Sequence, residues 1–392
     1  MTDRMTQPAH KRAVIAGAGM SEVGKVTGTA EEFAVAAINS ALQDAGLGLG
    51  DVDGLLVSAG AMGGVSLDLA VTLGLRDLRL LSQLQAFGAT ATQMVQQAVL
   101  AVESGTATTV VCVWADDPIR EAGREALYGS GIRPRSPWRA IHSAAGAVGA
   151  NDLYAVATRR HMNRFGTTSE QLGHIAVAQR EWAGLNPVAQ KGDPITLADH
   201  AESRWISEPL RLLDCCLISN GAAAFVVTTA DRASAGPHPA VEVRGWGQSH
   251  PGAYLQRNDD FGLVSGAARS GPAALDMARL ALTDIDLVQL YDCYTFTVLL
   301  TLEDYGFCDK GEGGEFVASG VLGPGRSLAL NTGGGQLSGY YLWGMTPLME
   351  ALTQVRGTAG QRQLAQHDTA LVSGNGGIFS HHATLVLERA GS

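Results

Sequence analysis

A glycine-rich stretch with two adjacent tyrosines, Leu330–Met345, is the part of the sequence best suited to chemistry. It contains five glycines, three of them consecutive, and the pair Tyr340 and Tyr341. Consecutive glycines let the backbone adopt positive φ and approach a bound group closely. The following segment, Thr346–Arg356, predicts a helix with a proline in its first turn. A glycine loop before a helix can bind an anion or stabilise an oxyanion, and a structural turn with two core tyrosines fits these residues equally well.

Composition favours a soluble enzyme or carrier over a nucleic-acid-binding protein. The chain has 392 residues, 46% of them hydrophobic, and a net charge of −10. No basic stripe is present to meet a phosphate backbone. No apolar run reaches transmembrane length, and residues 1–10 lack the apolar core of a signal peptide, so we expect a cytoplasmic protein. The odd number of cysteines, without metal-ligand spacing, predicts reduced thiols and no metal site.

The first half of the chain predicts alternating strands and helices after a polar tail at residues 1–11. A strand that begins at Arg12 runs into the glycines Gly17 and Gly19, but Glu22 stands where a dinucleotide-binding loop needs its third glycine. A nucleotide site is therefore not expected there. Hydrophobic periodicity then predicts, in order, a helix, two strands, a helix and a strand, namely Glu31–Asp44, Asp51–Ser58, Leu78–Gln85, Gly88–Glu103 and Thr108–Trp114.

A change in composition from about residue 116 to 211 predicts an insertion. Arginine, histidine, tryptophan and proline become denser, and no strand pattern is found. Two helices are expected, Asn151–Phe165 and Thr168–Glu181. We interpret this segment as a helical insertion or lid over the sheet, after which a strand resumes at Asn220–Thr228.

The second half of the sequence repeats the first. The acidic lead-in Asp51-Val-Asp53 before an apolar strand matches Asp284-Ile-Asp286, and a strand beginning at Pro239 matches the one beginning at Arg12. Because each half is one α/β unit, we expect two pseudo-twofold halves, layered αβαβα, with the helices that begin near Gly88 and Gly344 buried between sheets. Ligands of α/β folds bind where strand ends and helix N-termini meet, here Gln85–Gly88 and Tyr340–Gly344.

Three motifs resemble the thiolase superfamily, and specifically its lipid-transfer-protein or sterol-carrier thiolase-like branch. Leu212–Ala224 resembles the segment that precedes the closing strand of the first half in that branch. Tyr291-Asp-Cys-Tyr294 resembles its His-Asp-Cys-Phe motif, and Leu330–Gly344 resembles its Asn-Pro-x-Gly-Gly…Gly-His-Pro-x-Gly loop. The resemblance covers nearly the whole chain and implies a duplicated thiolase fold that forms a homodimer. The implied halves are 12–235 and 236–392.

The departures from the thiolase pattern concern every catalytic group. The nucleophilic cysteine of a thiolase aligns with Gln85, three residues before Gly88, and an amide cannot form a thioester. The two catalytic histidines align with Tyr291 and Tyr341, and the second cysteine aligns with Ser373. No cysteine–histidine pair remains for Claisen chemistry.

The replacement of two histidines by two tyrosines resembles the lipid-transfer-protein-type aldolases of bacterial steroid side-chain degradation. The resemblance implies retro-aldol cleavage of a β-hydroxy acyl-CoA, for example a 17-hydroxy steroid side-chain CoA thioester that yields a 17-ketosteroid and propionyl-CoA. It also implies a partner protein with a zinc-ribbon and an OB-fold domain. No cofactor is expected, because CoA is part of the substrate.

Retro-aldol chemistry requires a base at the β-hydroxyl, stabilisation of the enolate and an acid at the α-carbon. We expect Tyr291 and Tyr341 to share the proton transfers, which requires a perturbed phenol because the usual pKa is near 10. Substrate-binding roles are expected for backbone and side-chain groups that surround them, at Gln85, Gly88, Gly335, Gly374, Gly376 and His382.

Several neighbouring residues have plainer interpretations. Tyr294 and Tyr340 fit core positions, and Cys293 fits a buried, inert thiol. Asp292 fits either a group that tunes Tyr291 or the cap of a turn. His381 and His382 fit a structural turn as well as a site, and a basic group fits either the CoA phosphates or a solvated helix face, namely Arg159, Arg160 and His161.

Two other functions fit parts of the same pattern. A non-catalytic carrier or scaffold for sterols or acyl-CoA would need the fold without the proton transfers. A thiolase-type acyltransferase would have to use Cys293, which lies on a different loop from the lost nucleophile.

Overall fold

The computed structural model describes residues 12–119, 142–147, 149–233, 236–252 and 260–391. The strands in these ranges are β1 (Ala13–Met20), β2 (Gly54–Ala59), β3 (Leu80–Gln83), β4 (Thr109–Asp116), β5 (Trp205–Ser207), β6 (Leu210–Arg211), β7 (Gly221–Thr229), β8 (Val241–Ser249), β9 (Leu287–Gln289), β10 (Thr369–Gly376) and β11 (His381–Arg389). The helices are α1 (Ala30–Asp44), α2 (Leu69–Thr72), α3 (Thr90–Glu103), α4 (Ala150–Phe165), α5 (Ser169–Ala183), α6 (Leu197–Glu202), α7 (Ala230–Ala233), α8 (Ala267–Ala278), α9 (Thr295–Tyr305), α10 (Gly313–Ala318) and α11 (Met345–Val355).

Nine strands form one mixed sheet in the order β3-β2-β4-β7-β1-β8-β11-β10-β9. The first five belong to the N-terminal half and the last four to the C-terminal half. The halves join where β1 pairs antiparallel with β8, through Val14 opposite Glu242 and Ile15 opposite Val241. In each half the strands at the outer end run parallel, and the strands near the join run antiparallel.

The helices divide into an inner and an outer set. Helices α3 and α11 contact each other, and each packs on strands of both halves, while α1 covers β1, β4 and β7 from outside and α8 covers β8 and β11. One apolar core lies under α1, and the other surrounds the two inner helices. This arrangement is the layered, duplicated αβαβα fold predicted from the sequence.

The glycines near the start of β1 bring a helix close to a strand. A β-carbon at Gly17 would lie 2.1 Å from the carbonyl oxygen of Ala41 in α1. At the equivalent place in the second half, a β-carbon at Gly245 would lie 2.1 Å from the carbonyl oxygen of Ala274 in α8. The motif that partly matches a dinucleotide-binding loop is therefore a helix-packing device, present once in each half.

The two halves differ at the outer edge of the sheet and in the insertion. Strand β3 pairs in parallel with β2, but its counterpart beside β9 is a single bridge between Val288 and Leu330. The prediction of an insertion without strands was wrong, because β5 and β6 form a short hairpin. The two strands of this hairpin are too short for hydrophobic periodicity to reveal them. The Arg211 guanidinium lies 3.7 Å from the centre of the Trp205 ring and links the two strands.

The insertion packs against the glycine loop of the other half. Asn186 donates from Nδ2 to the carbonyl of Gly333 at 2.8 Å, and the backbone N–H of Gln190 donates to the carbonyl of Gly339 at 2.8 Å. The Arg180 guanidinium donates from Nε to Ser338 Oγ at 2.9 Å. The predicted lid thus holds the loop that carries the adjacent tyrosines.

Some predicted boundaries fall outside the described residues. The tail 1–11 is one of them, and the division between 12–235 and 236–392 falls beside residues 234 and 235, which are also outside. The domain limits therefore stay predictions. Within the described ranges, no helix has both the length and the apolarity needed to cross a bilayer.

A buried ion pair connects the C-terminal end of α11 to the first half, and its loss is expected to destabilise the fold. Arg356 donates from Nη1 to Asp44 Oδ2 at 2.6 Å and from Nη2 to the carbonyl of Ala16 at 2.9 Å. Arg356→Met should lower the free energy of unfolding by about 3–5 kcal/mol, because Asp44 loses its guanidinium partner in a largely buried site and keeps only the Ala18 N–H and the more distant His238.

The matched control is Arg232→Met. Arg232 pairs with Asp51 at 2.7 Å on the surface, with side chains 40% and 39% exposed. Its loss should change the unfolding free energy by less than about 1 kcal/mol. Urea unfolding of both variants measures the difference, and equal effects would contradict the assignment of Arg356 as a connection between halves.

Candidate active site

Four chain segments meet at the carboxyl ends of β9 and β10. They are the turn before α3, the residues after β9, the glycine loop and the end of β10. A β-carbon at Gly88 would lie 2.2 Å from both the Tyr291 ring and the carbonyl oxygen of Asn375, and one at Gly344 would lie 2.3 Å from the carbonyl oxygen of Gly88. The two equivalent points predicted from the repeat, Gln85–Gly88 and Tyr340–Gly344, therefore come together in one place.

The hydroxyls of Tyr291 and Tyr341 are hydrogen-bonded to each other at 3.1 Å. Both side chains are buried, with 4% and 7% of their surface exposed. Their backbones are anchored separately, since Tyr291 N–H donates to Ser373 Oγ at 3.3 Å and Tyr341 N–H donates to Ser219 Oγ at 2.8 Å. The two tyrosines that align with catalytic histidines thus form one coupled pair of phenols.

Burial holds Tyr291 in its neutral form. Desolvation raises the pKa of Tyr291 well above its usual value, and the hydrogen bond from Tyr341 offsets this only in part. A neutral phenol donates a hydrogen bond readily but takes up a proton only if it passes its own proton on. The sequence predicted a perturbed phenol without a direction, and the pKa of Tyr291 is shifted upward, away from a free phenolate.

Asp292, the next residue, reaches into the glycine loop. Its carboxylate accepts the backbone N–H of Gln336 at 3.0 and 2.9 Å and the N–H of Leu337 at 3.3 Å. Burial raises the pKa of Asp292 to about 7, against the opposing effect of these hydrogen bonds. Gly335, with φ of 56°, leaves room for this contact, because a β-carbon there would lie 2.1 Å from Asp292 Oδ2.

Gln85 lies at the mouth of the site with its side chain exposed. Its Nε2 donates to the carbonyl of Ala59 at 3.4 Å, so most of its hydrogen-bonding capacity faces outward. Two residues on, Phe87 adopts a left-handed φ of 54°, and its ring is 39% exposed and stacked on His381. Strain in a non-glycine residue is typical of functional turns.

The predicted glycines at the end of β10 pack on the turn before α3. A β-carbon at Gly374 would lie 2.8 Å from the carbonyl oxygen of Gly88, and one at Gly376 would lie 2.0 Å from that of Ala86. Both positions therefore require glycine for close approach. Their backbone groups are near the tyrosine pair, while a role in binding a thioester oxygen stays a prediction.

His382 is not beside the tyrosine pair. It is fully buried, and its Nε2 is 3.2 Å from Tyr305 Oη, which also bonds Thr384 Oγ1 at 2.7 Å. Burial lowers the pKa of His382 to about 3, so the ring is neutral. Its place under α8 and α9 fits the structural interpretation better than the predicted role in substrate binding.

The basic group considered for CoA phosphates has other partners. His161 is buried between Glu303 Oε2 at 3.1 Å and Thr167 Oγ1 at 2.9 Å. Arg159 pairs with Glu208 at 2.8 Å, and Arg160 donates to the carbonyl of Phe261 at 3.0 Å. The helix periodicity that suggested a basic face does not reveal these partners, which lie far along the chain.

The cysteine near the site is poorly suited to covalent catalysis. Burial raises the pKa of Cys293 to about 12, although a hydrogen bond with Tyr154 lowers it slightly. A thiol with this pKa is almost entirely protonated near neutral pH. Cys293 is therefore the buried, inert thiol of the plainer interpretation, and an acyltransferase that uses it is disfavoured.

One side chain at the site, Tyr154, had no recognisable pattern in the sequence. Tyr154, from the insertion helix α4, packs 4.5 Å from the Tyr294 ring, and its Oη accepts from Asn375 Nδ2 at 3.4 Å. Helical periodicity marks Tyr154 only as a core position.

Tyr294 and Tyr340 are both 5% exposed and buried in the core, as predicted.

The small cavity behind the glycine loop has room for about one water molecule. Its volume is about 10 Å³, and its lining includes Asp292, Asn331, Tyr340 and Glu350. It is therefore too small to hold any part of an acyl-CoA larger than a water molecule. Across the residues that the structure describes, no cluster of three or more histidine, cysteine or acidic side chains is arranged to hold a metal ion.

Comparison with known proteins places the chain in a family. Residues 247–389 match the family model for the thiolase C-terminal domain-like region. A steroid side-chain-cleaving aldolase of Thermomonospora curvata is 39% identical over 88% of this chain and 91% of its own. The 17-hydroxy-3-oxo-4-pregnene-20-carboxyl-CoA lyase of Mycobacterium tuberculosis is 35% identical over 89% of this chain and 92% of its own.

Solved structures give the same assignment. The Ltp2-ChsH2(DUF35) aldolase superposes with a TM-score of 0.87 and 34% identity, covering 97% of this chain and 99% of the other. A monomeric SCP2-thiolase-like protein of Mycobacterium smegmatis shares the fold, with a TM-score of 0.72 and 18% identity over 97% of this chain and 78% of the other. The chain belongs to the thiolase superfamily, in its lipid-transfer-protein (sterol-carrier thiolase-like) branch, among the relatives of the steroid side-chain-cleaving aldolases.

The raised pKa of Asp292 predicts a pH dependence of stability. A carboxyl with a folded-state pKa of about 7 and an ordinary value of 3.8 stabilises the fold while protonated, and this contribution is lost as pH rises through 7. The stability of the wild type relative to Asp292→Asn should therefore fall by up to about 1.4 kcal/mol per pH unit between pH 5 and pH 7. Melting temperatures of both proteins from pH 5 to 8 test this prediction. A melting temperature of the wild type that rises relative to that of Asp292→Asn as pH increases would contradict it.

Proposed function

We propose that this protein is a carbon–carbon lyase that cleaves a β-hydroxy acyl-CoA by a retro-aldol reaction, without a covalent thioester intermediate. The observation that carries the proposal is the hydrogen bond of 3.1 Å between Tyr291 Oη and Tyr341 Oη at the position of the catalytic histidines of thiolases. The exposed amide of Gln85, in place of a nucleophilic cysteine, supports a reaction that needs no nucleophile.

The substrate we propose is a 17-hydroxy steroid with its side chain bound as a CoA thioester. The names of two relatives support it, since one cleaves steroid side chains and the other is a lyase for 17-hydroxy-3-oxo-4-pregnene-20-carboxyl-CoA. Cleavage of the bond between carbon 17 and the α-carbon of the thioester would yield a 17-ketosteroid and propionyl-CoA. We expect no cofactor besides CoA, which is part of the substrate.

The proton balance of the reaction suits a pair of neutral phenols. The hydroxyl at carbon 17 loses a proton as its C–O bond becomes a carbonyl, and the electrons of the broken C–C bond pass to the thioester as an enolate. The α-carbon then gains one proton. One tyrosine can accept the hydroxyl proton while it passes its own across the 3.1 Å hydrogen bond to the other, which protonates the α-carbon.

This relay explains how a phenol with a raised pKa can work at neutral pH. Because each tyrosine gives up one proton as it takes another, neither has to exist as a free phenolate before the reaction. The raised pKa of Tyr291 keeps it protonated and ready to donate. The backbone N–H groups of Gly88, Gly374 and Gly376 are the proposed partners of the thioester oxygen, where the enolate charge develops.

Product analysis and two tyrosine variants test the proposal. A ketone and propionyl-CoA should form from a 17-hydroxy steroid side-chain CoA thioester, and Tyr291→Phe and Tyr341→Phe should each lower kcat by about 10²–10⁴-fold because each breaks the relay. Tyr340→Phe is the matched control, since Tyr340 is equally buried but its hydroxyl is not in the pair, and it should keep near-wild-type kcat.

The outcomes separate the candidate functions. Wild-type turnover in either of the two relay variants would remove that tyrosine from the mechanism. Tight binding of the thioester without cleavage, both alone and with a partner protein, would favour a carrier of sterols or acyl-CoA.

We also propose that the protein works in a hetero-oligomer with a zinc-ribbon and OB-fold protein. The two-component name of the solved relative, Ltp2-ChsH2(DUF35), supports a partner of this kind. The reaction should therefore be measured with and without such a protein. Cytoplasmic location and the absence of a cofactor stay predictions from the sequence.

A homodimer through the edge of the sheet completes the proposed assembly. Strand β3 is the edge strand of the N-terminal half, and Leu81 on it is 41% exposed. An edge strand offers unpaired N–H and C=O groups to a second copy.

Leu81→Lys should shift the protein toward a monomer in light scattering coupled to size exclusion, while Met277→Lys, at a 48% exposed position on α8, should not. A wild-type monomer would contradict the dimer.

A further inference from the structure

The hydroxyl pair depends on two segments that are far apart in sequence. Tyr291 follows β9, whereas Tyr341 follows the short helical turn Gly335–Gly339 in the glycine loop. No backbone hydrogen bond joins Tyr291 directly to Tyr341 among the contacts the structure gives for the two residues. The start of the loop is held to β9 by the Val288–Leu330 bridge and by the Leu290 N–H, which donates to Asn331 Oδ1 at 2.7 Å. A contact farther along the loop must fix the turn that leads to Tyr341.

We propose that Asp292 is a positioning residue whose carboxyl group clamps the glycine loop and thereby sets the distance between the Tyr291 and Tyr341 hydroxyls. It is adjacent to Tyr291 in the chain and completely buried. Both of its oxygens accept the Gln336 N–H, and Oδ2 also accepts the Leu337 N–H, so one side chain holds two backbone donors of the turn that leads to Tyr341.

The loop is shaped to receive this carboxylate. At Gly335 a β-carbon would lie 2.1 Å from Asp292 Oδ2 and 2.7 Å from Gln179 Oε1 in α5, so only glycine leaves room. The buried side-chain amide of Gln179 accepts neither of the two backbone donors, and the Gln336 side chain itself interacts with the Asp292 carboxyl. Loss of the carboxylate would leave those donors unsatisfied in a buried site.

The charge of Asp292 is sensitive to pH because its surroundings provide little compensation. The ionisable groups that face it are Tyr291 and Cys293 from its own segment and Cys216 from the segment before β7. Glu350 of α11 lines the same small cavity, but it is paired with Arg362 at 2.9 Å. The backbone N–H groups of Gln336 and Leu337 and the Gln336 side chain stabilise the anion, but burial outweighs them and raises the pKa to about 7.

The matched control for this residue lies at the other end of β9. Asp286 accepts the backbone N–H groups of Asp368 and Thr369 from Oδ2 at 2.8 and 3.0 Å, which ties β9 to β10 far from the tyrosines. Asp286→Asn removes the same kind of carboxylate clamp from the same strand. It should lower stability without changing the glycine loop.

Amide hydrogen exchange tests the clamp without any assay of activity. In the wild type, a peptide spanning residues 333–343 should be protected at pH 6 and less protected at pH 8, after correction for intrinsic exchange, because opening of the loop exposes the carboxyl to water and is favoured once Asp292 ionises. Asp292→Asn should lower its protection at least about tenfold at pH 6 and abolish the pH dependence, whereas Asp286→Asn should match the wild type. Equal protection in wild type and Asp292→Asn would overturn the proposal, and the wild-type comparison stands even if the variant does not fold.

The kinetic arm rests on the proposed aldolase function. Asp292→Asn should lower kcat at least about tenfold with little change in KM, because the two tyrosines lose their spacing while the substrate-binding groups remain, whereas Asp286→Asn should keep the wild-type kcat and KM. Wild-type kcat in Asp292→Asn would overturn the positioning role. A wild type that cleaves no thioester would refute the aldolase proposal and leave the exchange result to decide on the clamp.

Discussion

Backbone-to-backbone contact between the two halves is the constraint on which the site depends. The turn before α3 belongs to the first half, and the segments that carry Tyr291, Tyr341 and Asn375 belong to the second. These segments approach so closely that Gly88 and Gly344 have no room for a side chain. Once the glycines are in place, the inner helices can begin beside each other, and the tyrosine ring lies directly on the Gly88 backbone.

The chemistry of the site follows from the thiolase fold, which is kept, and from the thiolase catalytic side chains, which are replaced. The fold still delivers two side chains to one point, but they are phenols that bond to each other rather than a cysteine and histidines. Burial destabilises a phenolate anion and therefore keeps each phenol protonated. Two protonated phenols that share a hydrogen bond can exchange protons without either becoming a free phenolate. A reaction that loses one proton and gains one, such as a retro-aldol cleavage, matches that property.

The sequence predicted the layered fold, the duplication and the meeting of Tyr291 with Tyr341, because these depend on periodicity, on glycine spacing and on the family's motifs. It could not predict that His382 turns toward Tyr305 or that His161 is enclosed by Glu303, since such contacts join distant segments. The sequence also could not predict whether the pKa of Tyr291 is raised or lowered, because the shift depends on how deeply the side chain is buried. The role of Asp292 became visible only when Gly335 and Gln336 were placed beside it.

The most direct test of the central claim is a proton inventory of the cleavage step. Single-turnover rates of the wild type, with a 17-hydroxy steroid side-chain CoA thioester and the partner protein, are measured in mixtures of H₂O and D₂O. A relay through Tyr291 and Tyr341 moves more than one proton in the step, so the rate should fall below a straight line between the two pure solvents. A linear dependence would mean that a single proton moves, and it would contradict the coupled tyrosine pair.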